Sequence, residues 1–316
     1  MPNWPQVPAG STAAVQSRPA DPSPPTVAQP QFVPQKPRRI LDDLITSDAV
    51  RARIDVAVKQ LIHHETLYRE WNLQKIDPYR TGTAVNFYGA PGTGKSLAAE
   101  ALAAQLSRSF IDVSYAEIES RYVGDTPKNI VRCFEEAAAA NAVLVFNEAD
   151  SILGARLSNV TQSSDHSVNV SRAVMLSQLD AFSGLVVFTT NFPRNYDSAF
   201  VRRILVHVEF DLPDEPTRQR LWRHLIPDEV PRAQDFDFDF AALAAGSDGL
   251  AGGDIVNVVK ASCAEAIARQ PAERHLTMDD LMREVAAVRR ARAEVGRQSS
   301  GPRVVSVDQI DAVPED

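Results

Sequence analysis

Two short stretches hold the residue types needed for phosphate chemistry. GAPGTGKS, Gly89 to Ser96, sets three glycines, a lysine and a hydroxyl between an apolar run and a helix-like one. Glycines there allow successive backbone N–H groups to turn inward around phosphate oxygens, and a following helix adds the positive end of its dipole. The cradle would be Gly89, Ala90, Pro91, Gly92, Thr93 and Gly94, with Leu97 just beyond. Lys95 is spaced to reach the β- and γ-phosphates of a nucleotide, and the Ser96 hydroxyl to ligate Mg²⁺. The second stretch, VLVFNEAD (143–150), ends four apolar residues on a polar pair. A phosphate-handling strand usually ends in an acidic pair, whereas here the first position is the amide Asn147 and only Glu148 is charged. A third polar residue, Asn191, closes the run LVVFTTN and could, from a neighbouring strand, hold a water.

Such residues need a sheet whose strands end together. Strand-like runs fall at 84–89, 110–114, 142–146, 185–190 and 206–210, and helix-like runs at 96–106, 129–140 and 167–182. This alternation predicts βαβ units and a parallel sheet covered on both faces. After Pro213 only helical patterns remain, in EPTRQRLWRHL, DIVNVVKASCAEAIA and MDDLMREVAAVRRARAEV. The expected fold is therefore α/β: a parallel sheet of P-loop NTPase type sandwiched by helices, followed by a small helical lid domain.

Ten of the 21 prolines lie in residues 1–40, so 1–38 reads as a disordered proline-rich arm. The nucleotide-binding domain is expected over 39–212, the lid over 213–292 and a flexible tail over 293–316. The net charge of −8 argues against nucleic acid as a partner. No apolar run is long enough to span a bilayer, so no membrane partner and a cytoplasmic location are expected. The two cysteines, Cys133 and Cys263, form no metal cluster. His63-His64-Glu65 is not a zinc-protease motif. DFDFDF (235–240) imitates a calcium loop but has Phe240 and Gly246 where glycine and glutamate are needed, and reads as surface alternation.

In combination these motifs resemble the AAA family of ATPases, over about residues 40–290. The resemblance is to single-module, protein-remodelling members of bacterial type, in the branch that includes katanin and spastin. It implies ATP and Mg²⁺ as ligands, Glu148 as the base and Asn191 as sensor 1. It also implies Arg203, in AFVRRI, as an arginine finger donated to the ATP of the next subunit. Arg202 is the alternative finger or an ion-pair partner, and Val206 stands where many relatives have a second finger. AGGDIVN (251–257) resembles the lid motif beside the nucleotide, with Gly253 at its close approach. Asp43 and Leu44 match a segment that packs on adenine in relatives, although an ordinary helix-capping Asp would look the same. RYVGDTP resembles a pore loop in which Tyr122 and Val123 grip an extended protein substrate inside a homohexamer.

In this family Asn147 is ordinarily an aspartate. At about 5 Å and an effective dielectric near 20, the lost charge is worth about 3 kcal/mol. The expectation is a working ATPase with weakened Mg²⁺ binding, which Asn147→Asp alone would strengthen about tenfold. The alternative is an ATP-controlled assembly or binding module with little hydrolysis.

Overall fold

The strands come from runs of Val, Ile, Leu and Phe, residues that fit a pleated surface buried on both faces. The computed structural model describes residues 32–77, 82–119, 125–154, 163–191, 196–232 and 237–295. In chain order the α/β part contains α1 (Asp48–Ile62), β1 (Thr83–Gly89), α2 (Lys95–Gln105), β2 (Phe110–Ser114), α3 (Tyr115–Ile118) and α4 (Asp125–Ala139). It continues through β3 (Val143–Asn147), α5 (Asp150–Leu153), α6 (Ser163–Ala181), β4 (Leu185–Thr190), α7 (Ser198–Arg203) and β5 (Ile204–Phe210). All strand pairs are parallel, in the order β2-β3-β4-β1-β5. Every residue of β4 is buried, as its central place requires.

Register decides where the polar strand ends meet. Ser114 lies opposite Asn147, Phe146 opposite Phe188, and Tyr88 opposite Thr190. The carboxyl ends of β2, β3, β4 and β1 therefore form one rim, where ligands of open α/β sheets bind. Beneath it, α1 and α2 cover one face with Ile54, Val58, Ala98, Ala99 and Leu102. The other face packs Ile130, Phe134, Met175 and Phe200 against Leu144, Phe146 and Phe188. The alanines of α2 let its axis lie close to the sheet and start it at the phosphate loop.

Residues 32–38, included in the expected arm, belong with this core. Phe32 is buried, and Gln35 exchanges both backbone hydrogen bonds with Phe110, at 2.8 and 2.9 Å. The cause is the exposed edge of β2, whose unpaired backbone groups need partners. Glu100 extends the anchor by accepting the Arg38 N–H at 2.6 Å and the Arg39 N–H at 3.2 Å.

The helical C-terminal region holds α8 (Glu215–Leu225), α9 (Phe240–Gly246), α10 (Gly252–Ile267) and α11 (Met278–Val295). Asp214 caps α8 by accepting from the Thr217 N–H at 3.0 Å. Trp222, fully buried, is the centre of its separate core and donates its indole N–H to Ser247 Oγ at 2.9 Å. The DFDFDF segment is not all surface: Phe238 is buried in this core under Arg232, and Asp239 caps α9. Cys133 is buried in α4, where burial pushes its thiol pKa upward, and neither cysteine is in a disulfide. Among the described residues no helix is long and apolar enough to cross a membrane.

Candidate nucleotide site

The loop between β1 and α2 is built around the Lys95 ammonium. It donates to the backbone carbonyls of Gly89 and Ala90 at 2.8 and 2.7 Å. Burial pushes its pKa below the ordinary lysine value, while the Asp150 charge works against that shift. Two of its three N–H groups thus fix its position, and the third is left to meet an anion. The loop stays tight through Thr93, whose hydroxyl donates to the Ala90 carbonyl at 2.8 Å. Gly94 caps α2 at φ +100°, a left-handed conformation costly for any side chain, and an added Cβ would meet Leu44 Cδ1 at 3.2 Å.

A cavity of about 780 Å³ opens over this loop. Its walls include Pro91, Gly92, Thr93, Gly94, Lys95, Ser96 and Leu97, with Asn147, Glu148 and Asn191 from the strand ends. Asp43, Leu44 and Gly253 line it too, while Gly89 and Ala90 contribute through the Lys95 contacts. Asp43 also accepts the Ile40 N–H at 3.0 Å, so it caps its own short turn. Ile45, Thr189, His224, Leu225 and Val256 join the lining without a motif to announce them. Tyr122 and Val123 lie outside the described residues.

At the strand tips, Asn147 is the hub. Its Oδ1 accepts from Ser96 Oγ at 2.9 Å and Thr189 Oγ1 at 2.7 Å, and its Nδ2 donates to Asp112 Oδ1 at 2.6 Å. The expected isolated loss of charge is therefore not what surrounds this residue. A carboxylate sits against the amide from β2, two residues before Ser114 and on the same side of the strand. Partial desolvation raises the Asp112 pKa, the Asn147 bond lowers it, and the charges of Glu117 and Glu100 add to the rise. The next residue, Glu148, takes φ +55°, an uncommon conformation for glutamate that recurs at functional sites. The Ala149 N–H donates to the Thr189 carbonyl at 3.0 Å and pins that turn. Asn191 is fixed through its N–H to Asp150 Oδ2 at 3.3 Å.

Arg203 is absent from the cavity wall. It makes a double hydrogen bond to Asp180 on α6, with both contacts at 2.7 Å, and lines a smaller cleft beside Phe182 and Arg202. Of the two arginines it is Arg203 that is ion-paired, and Asp180 raises its pKa further.

This donor set fits a nucleotide triphosphate with a hard divalent ion. A hydroxyl and an amide oxygen suit Mg²⁺, and among the described residues no group of three His, Cys, Asp or Glu could hold a metal alone. An ion at Ser96 would thus depend on phosphate oxygens for the rest of its coordination. Residues 85–212 match the family described as "ATPase family associated with various cellular activities (AAA)".

The chain carries an AAA domain.

The AAA match runs from β1 to just beyond β5 and holds the whole phosphate-facing rim. Among curated relatives, the chain is 34% identical over 211 residues to 26S proteasome subunit RPT4 of Saccharomyces cerevisiae, covering 65% of this chain and 47% of that one. It is 31% identical over 220 residues to Katanin p60 ATPase-containing subunit A1 of Strongylocentrotus purpuratus, covering 64% and 42%. It is 28% identical over 255 residues to Probable 26S proteasome regulatory subunit 4 of Caenorhabditis elegans, covering 78% and 55%. The chain spans about half the length of the curated relatives it matches.

Downstream of the AAA match, the helical region clasps the loop directly. The Gly253 N–H donates to the Gly92 carbonyl at 2.9 Å, and a Cβ on Gly253 would lie 3.2 Å from Gly92 Cα. Gly253→Val is expected to push the start of α10 off the loop. Losing that bond, with the displacement it causes, should weaken binding of a fluorescent ATP analogue about tenfold, near 1.4 kcal/mol, in a folded protein. Equal affinity in the variant would show that α10 does not shape the site.

Proposed function

We propose that this protein binds ATP with Mg²⁺ and hydrolyses it, as a subunit of a homohexameric ring that remodels or unfolds protein substrates. The observation that carries the reading is the rim itself. Ser96 Oγ and Asn147 Oδ1 meet at 2.9 Å beside the phosphate loop, and the adjacent Glu148 turns at φ +55° on the wall of the same cavity. When bound, Mg²⁺ would neutralise phosphate charge, and Ser96 and Asn147 are the side chains that would hold it. Lys95 binds the β- and γ-phosphates. Glu148 accepts a proton from the attacking water, which Asn191 holds from the next strand. The adenine would rest on the segment at Asp43 and Leu44. Arg203 does not line its own chain's cavity, which supports a role at the ATP of a neighbouring subunit.

The alternative of a binding module with little hydrolysis is less well supported. The loop lysine, the hydroxyl, the base and the polar strand tip all reach one cavity. The matched family and the katanin relative both carry "ATPase" in their descriptions. The same relatives, two of them named as proteasome components, support protein as the substrate. Tyr122 and Val123 are proposed to grip it in the pore, in a cytoplasmic setting. The test is phosphate release by the full chain with and without a permanently unfolded polypeptide. Release should need Mg²⁺ and accelerate several-fold with the polypeptide, and Tyr122→Ala should lose the acceleration. No response to the polypeptide in either protein would count against remodelling.

A further inference from the structure

Asn147 has three side-chain partners, and one of them decides how the amide faces. Ser96 and Thr189 offer hydroxyls, which can donate or accept and so tolerate either orientation. The Asp112 carboxylate only accepts when ionised. At 2.6 Å it demands the Asn147 NH₂ group and repels the carbonyl oxygen. The oxygen is thereby turned toward Ser96. Glu117 and Glu100, the other acids near Asp112, are engaged elsewhere: Glu117 accepts the Ser114 N–H at 2.9 Å, and Glu100 accepts from Arg38 and Arg39.

We propose that Asp112 is a positioning residue of this site, holding the Asn147 amide from β2 so that its oxygen faces Ser96. The proposal rests on the nucleotide reading of the cavity. Groups that orient a metal's ligands are typically worth about 10- to 100-fold in metal affinity. It also reverses the simple view of Asn147 as a weakened aspartate. A second carboxylate at position 147 would face the first at hydrogen-bonding distance and bring no N–H to donate to it. Asn147→Asp alone then loses the contact that turns the oxygen toward Ser96. The donor–acceptor pair is exchanged intact only if both residues change together.

The experiment measures affinity for a fluorescent ATP analogue in Mg²⁺ and in EDTA, for the full-length parent, Asp112→Asn, Asn147→Asp and the double variant. The ratio of the two affinities reads the metal's contribution without reference to turnover, and the EDTA value reports an intact loop. Asp112→Asn should lower the ratio about tenfold at an unchanged EDTA value. Asn147→Asp should reduce the ratio below the parent's and lower the unfolding temperature. Asp112→Asn with Asn147→Asp should restore the parent ratio or exceed it. Three results would overturn the proposal: a full ratio in Asp112→Asn, an equal loss in EDTA, or Asn147→Asp alone matching the double variant. A parent protein that binds the analogue in neither condition would instead refute the nucleotide reading beneath it.

Discussion

Glu148→Gln is expected to abolish turnover and leave ATP binding intact. The substitution keeps the side chain's length and its left-handed backbone, so nothing in the loop must move. Glu148 is exposed on the cavity wall, and its loss as a carboxylate strands no buried partner. What disappears is the capacity to take a proton from water, a contribution of about 10²–10⁴ in rate. Phosphate release should fall by at least about a hundredfold while the fluorescent analogue binds as before. Release at the parent rate would remove Glu148 from the mechanism.

Arg203→Ala is expected to cost ring activity on a similar scale, through a different route. In the structure its guanidinium is held by Asp180, with two contacts at 2.7 Å on a partly exposed surface. Pairs of that kind contribute about 0–1 kcal/mol, so a neighbour's triphosphate could draw the arginine away at little cost. A finger that stabilises developing phosphate charge is worth about 10³–10⁵ in rate where it has been measured. The variant should fold, bind the analogue and assemble, yet lose nearly all hydrolysis. Mixing it with Lys95→Ala subunits should restore part of the rate, because some interfaces then pair an intact loop with an intact Arg203. Absence of rescue, with both proteins assembling, would leave Arg203 as a local clamp on α6. Arg202→Ala, measured alongside, should have a much smaller effect.

The rim was legible because its residues sit beside strong local signals. Leu185–Thr190 is an unbroken run of strand formers, Phe110–Ser114 is one interrupted by Asp112, and both strands occupy the expected spans. Lys95 opens α2 because glycines precede it and alanines follow. The contacts between distant segments were not legible. Asp112 and Asn147 are 35 residues apart, and only the β2–β3 register brings them together. Asp112 could have been noticed as an acid in an apolar strand, in step with Ser114, but nothing in the spacing names its partner. Gln35 reaches Phe110 because β2 lies at the sheet edge, which depends on the whole strand order. Phe238 looked like surface because acids flank it, yet those acids turn outward while its ring joins the core around Trp222. The Arg203–Asp180 pair likewise depends on how α6 lies against α7.

If a neighbouring copy completes the site, hydrolysis depends on assembly. That dependence is tested most directly by phosphate release from ATP in Mg²⁺, measured per subunit over a wide range of protein concentration, with Glu148→Gln as the blank. The specific rate should climb with concentration as rings assemble, then level off, and it should vanish in EDTA. A rate no higher than the Glu148→Gln blank at every concentration would contradict this reading, and so would a rate per subunit that is the same throughout.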